Sequence, residues 1–180
     1  MVDDPTADTP AHGTTSGEAG VEALFAREYV RLVRAAVLLV GDRESAEDVV
    51  QDAFVGVHRR WGRFADPERV GGYLHRAVVN GCRSVLRHRA VVRRTPPVLA
   101  VPAADAADEV LGRAMRAEVF AALSALPRRQ REVLVLRHYL DLSEAEIAAS
   151  LRISAGSVKT HASRGAAALR ARLQQGEAHD

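Results

Sequence analysis

Three prolines, Pro96, Pro97 and Pro102, crowd the stretch VVRRTPPVLAVPAADAA at 91–107. Each lacks a backbone N–H, and its ring collides with the carbonyl one turn earlier, so no continuous helix crosses this segment. On both sides, apolar residues recur at spacings of three and four, the period of a helix buried on one face. No stretch alternates as a strand would. The pattern predicts an all-α protein: two small helical domains joined by a flexible linker. The domains span 21–90 and 108–174. An acidic tail at 1–20, read as disordered, precedes them, the linker occupies 91–107, and a short tail at 175–180 follows.

In the first domain, Val21, Leu24, Phe25, Leu32, Ala36 and Leu39 mark one helix, and Gly41-Asp42 punctuates its end. A second helix, about 44–60, places Ala46, Val49, Val50, Ala53, Phe54 and Val57 on one face. Trp61, Gly62, Phe64 and Pro67 mark a bend. A third helix from Glu68 turns Val70, Tyr73, Leu74, Ala77, Val78 and Val85 inward. The second domain opens with Val110, Leu111, Ala114, Met115, Val119 and Ala122. It breaks at Pro127, resumes over 128–139 with Val133, Leu134 and Leu136, and ends in helices at 143–151 and about 155–173.

All 25 Lys and Arg lie between these acidic tails, so the body is more basic than the formal net charge of +2. A basic body suits a polyanionic partner. All but Lys159 are Arg, which fits phosphate and base-edge recognition and equally a GC-rich genome. The single Cys, Cys82, excludes an intramolecular disulfide and a Cys-rich metal site, and fits a reducing cytoplasm. The start of the chain lacks the basic and apolar segments of a signal peptide, and no apolar run approaches the ~20 residues needed to cross a bilayer. The seven His are scattered, with no HExxH pair and no GxxxxGK loop. Neither enzyme chemistry nor a cofactor or metal is expected.

Ser143-Glu144-Ala145-Glu146 reads as a capping box. The short helix behind it turns Ile147, Ala148 and Leu151 inward. Arg152-Ile153-Ser154 forms a turn, and a second helix packs through Val158, Ala162, Gly165, Leu169 and Leu173. Its outer face carries Ser157, Thr160, Ser163 and Arg164, flanked by Lys159 and His161. This is the helix-turn-helix layout, in which the second helix enters the major groove. A helical hairpin with a solvated face is the plainer alternative.

Two further faces stand out. The helix at 44–60 carries Glu44, Glu47, Asp48, Gln51 and Asp52 outward. That stripe suits a basic partner, or simply solvent and the helix dipole. The third helix repeats Arg76, Asn80, Arg83 and Arg87 at four, three and four residues, one basic face with an amide that can bond an unpaired base edge. Trp61, Phe64 and Tyr73 lie upstream, as rings for base stacking or as core.

AEDVVQDAF (46–54) and DPERVGGYLHRAVVNGCRSVLRHR (66–89) resemble region 2 of the sigma-70 family. ALPRRQREVLVLRHYLDLSEAEIAASLRISAGSVKTHASRGAAALR (125–170) is similar to its region 4. The likeness covers about 21–173, in the family's order, and is nearest to extracytoplasmic-function (ECF) sigma factors of the actinobacterial sigma-E subgroup. It leaves no room for the inhibitory N-terminal region or the region 3 domain of housekeeping sigma factors. The resemblance implies a non-enzymatic RNA polymerase subunit that recognises −35 and −10 promoter elements and assists opening. It assigns Asp48, Gln51, Asp52 and Phe54 to the clamp helices of the polymerase β′ subunit, although Phe54 also suits the core. Asn80 would line the pocket of a flipped −10 base, with Trp61, Arg76, Arg83 and Arg87 beside the opened strand. Ser157, Lys159, Thr160 and Arg164 would read the −35 element. The β flap and an anti-sigma factor are further implied partners, and the linker would thread toward the RNA exit path. Three departures stand out: Ser157 for a more usual Thr, Gly165-Ala166-Ala167 for an Ala-Leu pair, and Arg152 where Gly often ends a helix.

Rival readings fare worse. SVKTH resembles response-regulator DNA-binding domains, but the receiver domain that would precede it needs alternating strands and helices. A protein-binding adaptor leaves the basic stripe and the C-terminal motif unexplained together.

Overall fold

The computed structural model describes residues 14–64, 68–92 and 110–177. Apart from its first two residues, the linker lies outside them, as do most of the N-terminal tail and the last three residues. The described chain is helical: α1 (Thr14–Val40), α2 (Arg43–His58), a 3-10 turn (Trp61–Arg63), α3 (Glu68–Val92), α4 (Val110–Ser124), α5 (Arg128–His138), α6 (Glu144–Leu151) and α7 (Ala155–Glu177). The all-α expectation and the helix order hold. The expected tail at 1–20 is shorter than supposed, because α1 already runs from Thr14. Adding turns to an existing helix is far easier than starting one. Gly20 also gives α1 a contact to extend toward: a Cβ there would sit 2.2 Å from Cζ2 of Trp61.

Helices α1–α3 form the first module. Gly41, at φ 95°, ends α1, and its N–H donates to the Val37 carbonyl at 2.9 Å. Asp42 then caps α2 by accepting from the Ser45 N–H at 3.0 Å. Arg89, near the end of α3, closes this corner by donating to the Val40 carbonyl at 2.9 Å, to the Asp42 carboxylate and to the Ser45 hydroxyl. Burial pushes the Asp42 carboxyl up, but the Ser45 N–H and Arg89 outweigh it and hold it below the usual range.

Helices α4–α7 form the second module, centred on α5. Glu132, Val133, Leu134, Val135 and Leu136 are buried in succession. A helix buried all round must be packed on more than one side, and α5 touches α7, α6 and, across the modules, α1. Gly165 sets the approach of α7: a Cβ there would meet Gln130 Cβ at 3.1 Å and Leu134 Cδ1 at 3.2 Å. The Gly165-Ala166-Ala167 departure thus permits close packing of α7 on α5.

The Pro-rich linker predicts modules that move independently. In the structure they pack together. One apolar cluster runs from Leu32, Leu74 and Val79 to Leu136, Ile147 and Leu151. Polar links cross the same boundary. Arg31 of α1 donates to the Tyr139 carbonyl at 3.2 Å and to Asp141 at 2.7 Å. Arg83 of α3 donates to both carboxylate oxygens of Glu132, each at 2.8 Å.

Candidate nucleic-acid interface

The helix-turn-helix is built as its sequence suggests. The Ser143 hydroxyl accepts from the Glu146 N–H at 3.3 Å, and the Glu146 carboxylate accepts from the Ser143 N–H at 2.7 Å, both halves of a capping box. These Ser143 bonds hold the Glu146 carboxyl below the ordinary carboxylate range. Helix α6 ends at Arg152, which sits at φ 54°, ψ 52° with its N–H on the Ala148 carbonyl. This is the left-handed conformation that glycine adopts without strain. Ser154 starts α7, accepting from the Ser157 N–H at 3.1 Å.

Val158 and Ala162 anchor α7 in the core, while Lys159, Thr160, Ser163 and Arg164 are exposed on its opposite side. Ser157 is half-buried, its hydroxyl 2.9 Å from that of Ser154. The Thr160 hydroxyl donates to the Gly156 carbonyl at 3.0 Å, which still leaves it able to accept. Lys159 lies 3.8 Å from Glu144, a loose surface pair easily exchanged for a phosphate. Arg164 has no ion pair among the described residues. A polar, partly cationic ridge therefore faces outward from a capped helical scaffold.

The stripe on α3 is divided. Asn80 and Arg87 are exposed, and Arg76 is half-buried with its Nε enclosed and unbonded. The Arg83 side chain is only 13% exposed, and its Nε and Nη2 both donate to Glu132. Asn80, Arg83 and Arg87 form one wall of an open cleft whose far side carries Arg128, Arg129 and Arg152; Arg76 lies outside it.

On α2, Asp48, Gln51 and Asp52 are exposed. Phe54 is not: it is 5% exposed, edge-on to Phe25 at 5.0 Å between ring centroids and near Tyr29 at 6.3 Å. In this structure Phe54 is core, and it seats α2 so that its acidic face points outward. Trp61 is half-buried with Gly20 against its ring, so α1 occupies one flank of the indole. Phe64 and Tyr73 pack edge-to-face at 5.4 Å, and Arg60 lies 5.5 Å over the Tyr73 ring and donates to its hydroxyl. The aromatic set is thus a half-open cluster at the start of α3.

Comparison with known proteins agrees with this layout. The family model for sigma-70 region 2 matches residues 24–92, and that for sigma-70 region 4 matches residues 116–169. The RNA polymerase sigma-E factor of Streptomyces avermitilis is 37% identical over 158 residues, 85% of this chain and 87% of the relative. The chain belongs to the extracytoplasmic-function RNA polymerase sigma factors. The ECF sigma factor SigM of Mycobacterium tuberculosis is also 37% identical, over 149 residues, 82% of this chain and 74% of SigM. Among solved structures, CnrH, in complex with the cytosolic domain of CnrY, superposes with a TM-score of 0.67 at 29% identity, covering 90% of this chain and 95% of CnrH. The sigma factor RpoE of Bartonella quintana, solved with the anti-sigma factor NepR, shares the fold with a TM-score of 0.72 at 22% identity, covering 85% of this chain and 96% of RpoE. No helix among the described residues of this sigma factor is long and apolar enough to cross a membrane.

Sequence reasoning missed the role of Glu132 in this sigma factor. It is 3% exposed, and Arg129 at 3.1 Å and Arg128 at 3.7 Å join Arg83 around it. The available signal was an acid directly abutting the apolar run Val133–Leu136, with Arg128 and Arg129 four and three residues before it. Cys82 also turns toward this boundary: it is 2% exposed, and burial first, then the Glu132 charge, push its thiol up to about 12. A thiol so protonated is a poor nucleophile, which argues against a redox sensor in this packing.

Proposed function

We propose that this sigma factor binds core polymerase through the acidic face of α2, reads a −35 duplex with α7, and holds the opened −10 strand along α3. The observation that carries the reading is the exposed Lys159/Thr160/Ser163/Arg164 ridge on a capped helix-turn-helix, in the same chain as the Asn80/Arg87 face. Lys159 and Arg164 have the reach for phosphates or guanine edges, and Ser157 and Thr160 for either kind of base edge. Asn80, with Arg76, Arg83 and Arg87 beside it and the Trp61 cluster upstream, supplies an amide and a positive wall for a flipped base and its phosphates. Unpairing a base costs a few kcal/mol, which stacking and hydrogen bonds in such a pocket offset. The chain has no catalytic role in this scheme.

The partners in this reading are core polymerase (β′ clamp helices for Asp48, Gln51 and Asp52, the β flap for the second module), promoter DNA, and an anti-sigma factor. The site of action is the cytoplasm, with polymerase, and the linker threads toward the RNA exit path.

Transcription from a genomic fragment library by actinobacterial core polymerase, with and without this chain, tests the proposal. The expected result is new discrete start sites sharing −35 and −10 elements. On those promoters, Asn80→Ala should impair opening while polymerase binding persists. Arg164→Ala should weaken −35 duplex binding by about 1–3 kcal/mol. No new starts, with duplex binding retained, would make the chain an ordinary helix-turn-helix regulator. Normal transcription by both variants would refute the site assignments alone.

A further inference from the structure

The packed arrangement and the proposed strand-binding arrangement compete for one side chain. Arg83 lies on the α3 face that would hold the −10 strand, yet its Nε and Nη2 are both committed to Glu132 at 2.8 Å. This commits the side-on Nε/Nη2 fork of the guanidinium and neutralises its charge, leaving only the end-on Nη1/Nη2 edge for a phosphate or a base. We propose that the Arg83–Glu132 pair is a latch: the closed packing of the two modules withholds Arg83 from the strand-binding stripe of α3, and opening releases it. This rests on the reading of α3 given above.

The surroundings make Glu132 the decisive member. Closure brings Arg83 and Arg87 of α3 against Arg128, Arg129 and Arg152 of the second module around one open cleft. Five guanidinium groups in one place repel each other, and Glu132 is the carboxylate that Arg83, Arg128 and Arg129 share. The pair is also nearly dry, with side chains 13% and 4% exposed. Removing one member of such a pair leaves the other charge buried and unpaired, a far larger loss than that of a surface bridge. The exposed ridge of α7 lies outside the contact, so closure engages Arg83 on one proposed DNA surface and leaves the other untouched. The cleft is itself open and positive at Asn80 and Arg87, so a strand can enter it and compete for Arg83.

Cys82, the single thiol of the chain, reports on this boundary. It is 2% exposed in the closed packing and faces the Glu132 side of α3. Three quantities would be measured for the full chain: the rate of Cys82 labelling by dithionitrobenzoate, affinity for random-sequence single-stranded DNA, and helical circular dichroism. Glu132→Gln keeps the shape and removes the charge. It should retain helicity, label at least roughly tenfold faster, and bind the single strand several-fold more tightly, since breaking a buried pair shifts the balance by well over tenfold. Asp141→Asn offers a gentler second variant. It cuts the exposed Arg31 bridge, tolerates the left-handed backbone at φ 51°, and lies outside the charges that act on Cys82. Its labelling should rise about twofold, as suits a surface bridge.

Unchanged labelling in Asp141→Asn and in a helical Glu132→Gln overturns the latch. Should Glu132→Gln lose its helicity, Asp141→Asn decides alone. Faster labelling with no gain in strand binding overturns the strand-binding role of α3, and with it the purpose assigned to the latch, while leaving the closing contact itself intact.

Discussion

Arg152→Gly should stabilise the protein, and the size of the effect follows from one backbone conformation. Arg152 ends α6 at φ 54°, ψ 52°. An L-residue there brings its Cβ against the next carbonyl at a cost of about 1–2 kcal/mol, which glycine does not incur. Glycine gives back part of that gain through its freer unfolded chain, by about 0.5–1 kcal/mol. The Arg152 side chain is exposed, so its removal sacrifices little packing, and the N–H bond to Ala148 survives. The net expectation is about 0.5–1 kcal/mol, or about 1–4 °C in Tm for a chain of this length. Relief of repulsion with Arg128 and Arg129 adds a further contribution of the same sign. Arg152→Ala is the control: it removes the charge and side chain but keeps the Cβ. Urea unfolding of wild type, Arg152→Ala and Arg152→Gly, followed by circular dichroism, separates the two sources. If glycine proves no more stable than alanine, backbone strain at the turn is not what this position carries.

Two other perturbations have defined outcomes. Gly165→Leu should destabilise the second module by about 1–3 kcal/mol and weaken duplex binding, because the new side chain must displace Gln130 and Leu134 beneath α7; an unaltered urea midpoint would show that α7 is not seated as described. Ser143→Ala should cost about 1 kcal/mol at neutral pH by uncapping α6. It should also flatten the acid limb of the stability curve. The folded Glu146 carboxyl is depressed by Ser143, so its stabilisation is present above the ordinary carboxylate range and is lost as pH falls through the folded value. Urea midpoints for both proteins across that acid range check this, and parallel curves would count against it.

The helices of this sigma factor were legible because each carries a strong local mark. Pro127 breaks one, Asp42 and Ser143 cap two, and the apolar spacing of 46–57 reappears as the buried face of α2. The helix-turn-helix was legible for the same reason, being assembled from residues close in sequence. What stayed hidden was any feature made by residues far apart. Phe54 matched a docking position by motif while its apolar spacing already put it in the core; what the sequence could not show is that Phe25 and Tyr29 are the rings that pack on it. Trp61 looked available for stacking until α1 was found to begin at Thr14 and bring Gly20 against it.

The packing of the modules is the largest item of this kind, and α3 explains why. Its residues divide into three faces. Leu74, Val78 and Gly81 meet α1 and α2. Val79, Cys82 and Arg83 lie about a quarter to half a turn further round, toward α5 and α6, given 3.6 residues per turn. Asn80 and Arg87 remain at the rim. A single amphipathic stripe has room for one core, and the first set fills it, so Val79 and Cys82 read as its edge rather than as a second contact. An apolar stripe wider than a two-module chain with an independent α3 would need is the physical sign of the extra partner. The same width explains how a basic residue comes to be dry: Arg83 stands where the second apolar face meets the exposed polar face of Asn80 and Arg87, so the helix cannot bury the one without drawing in the other.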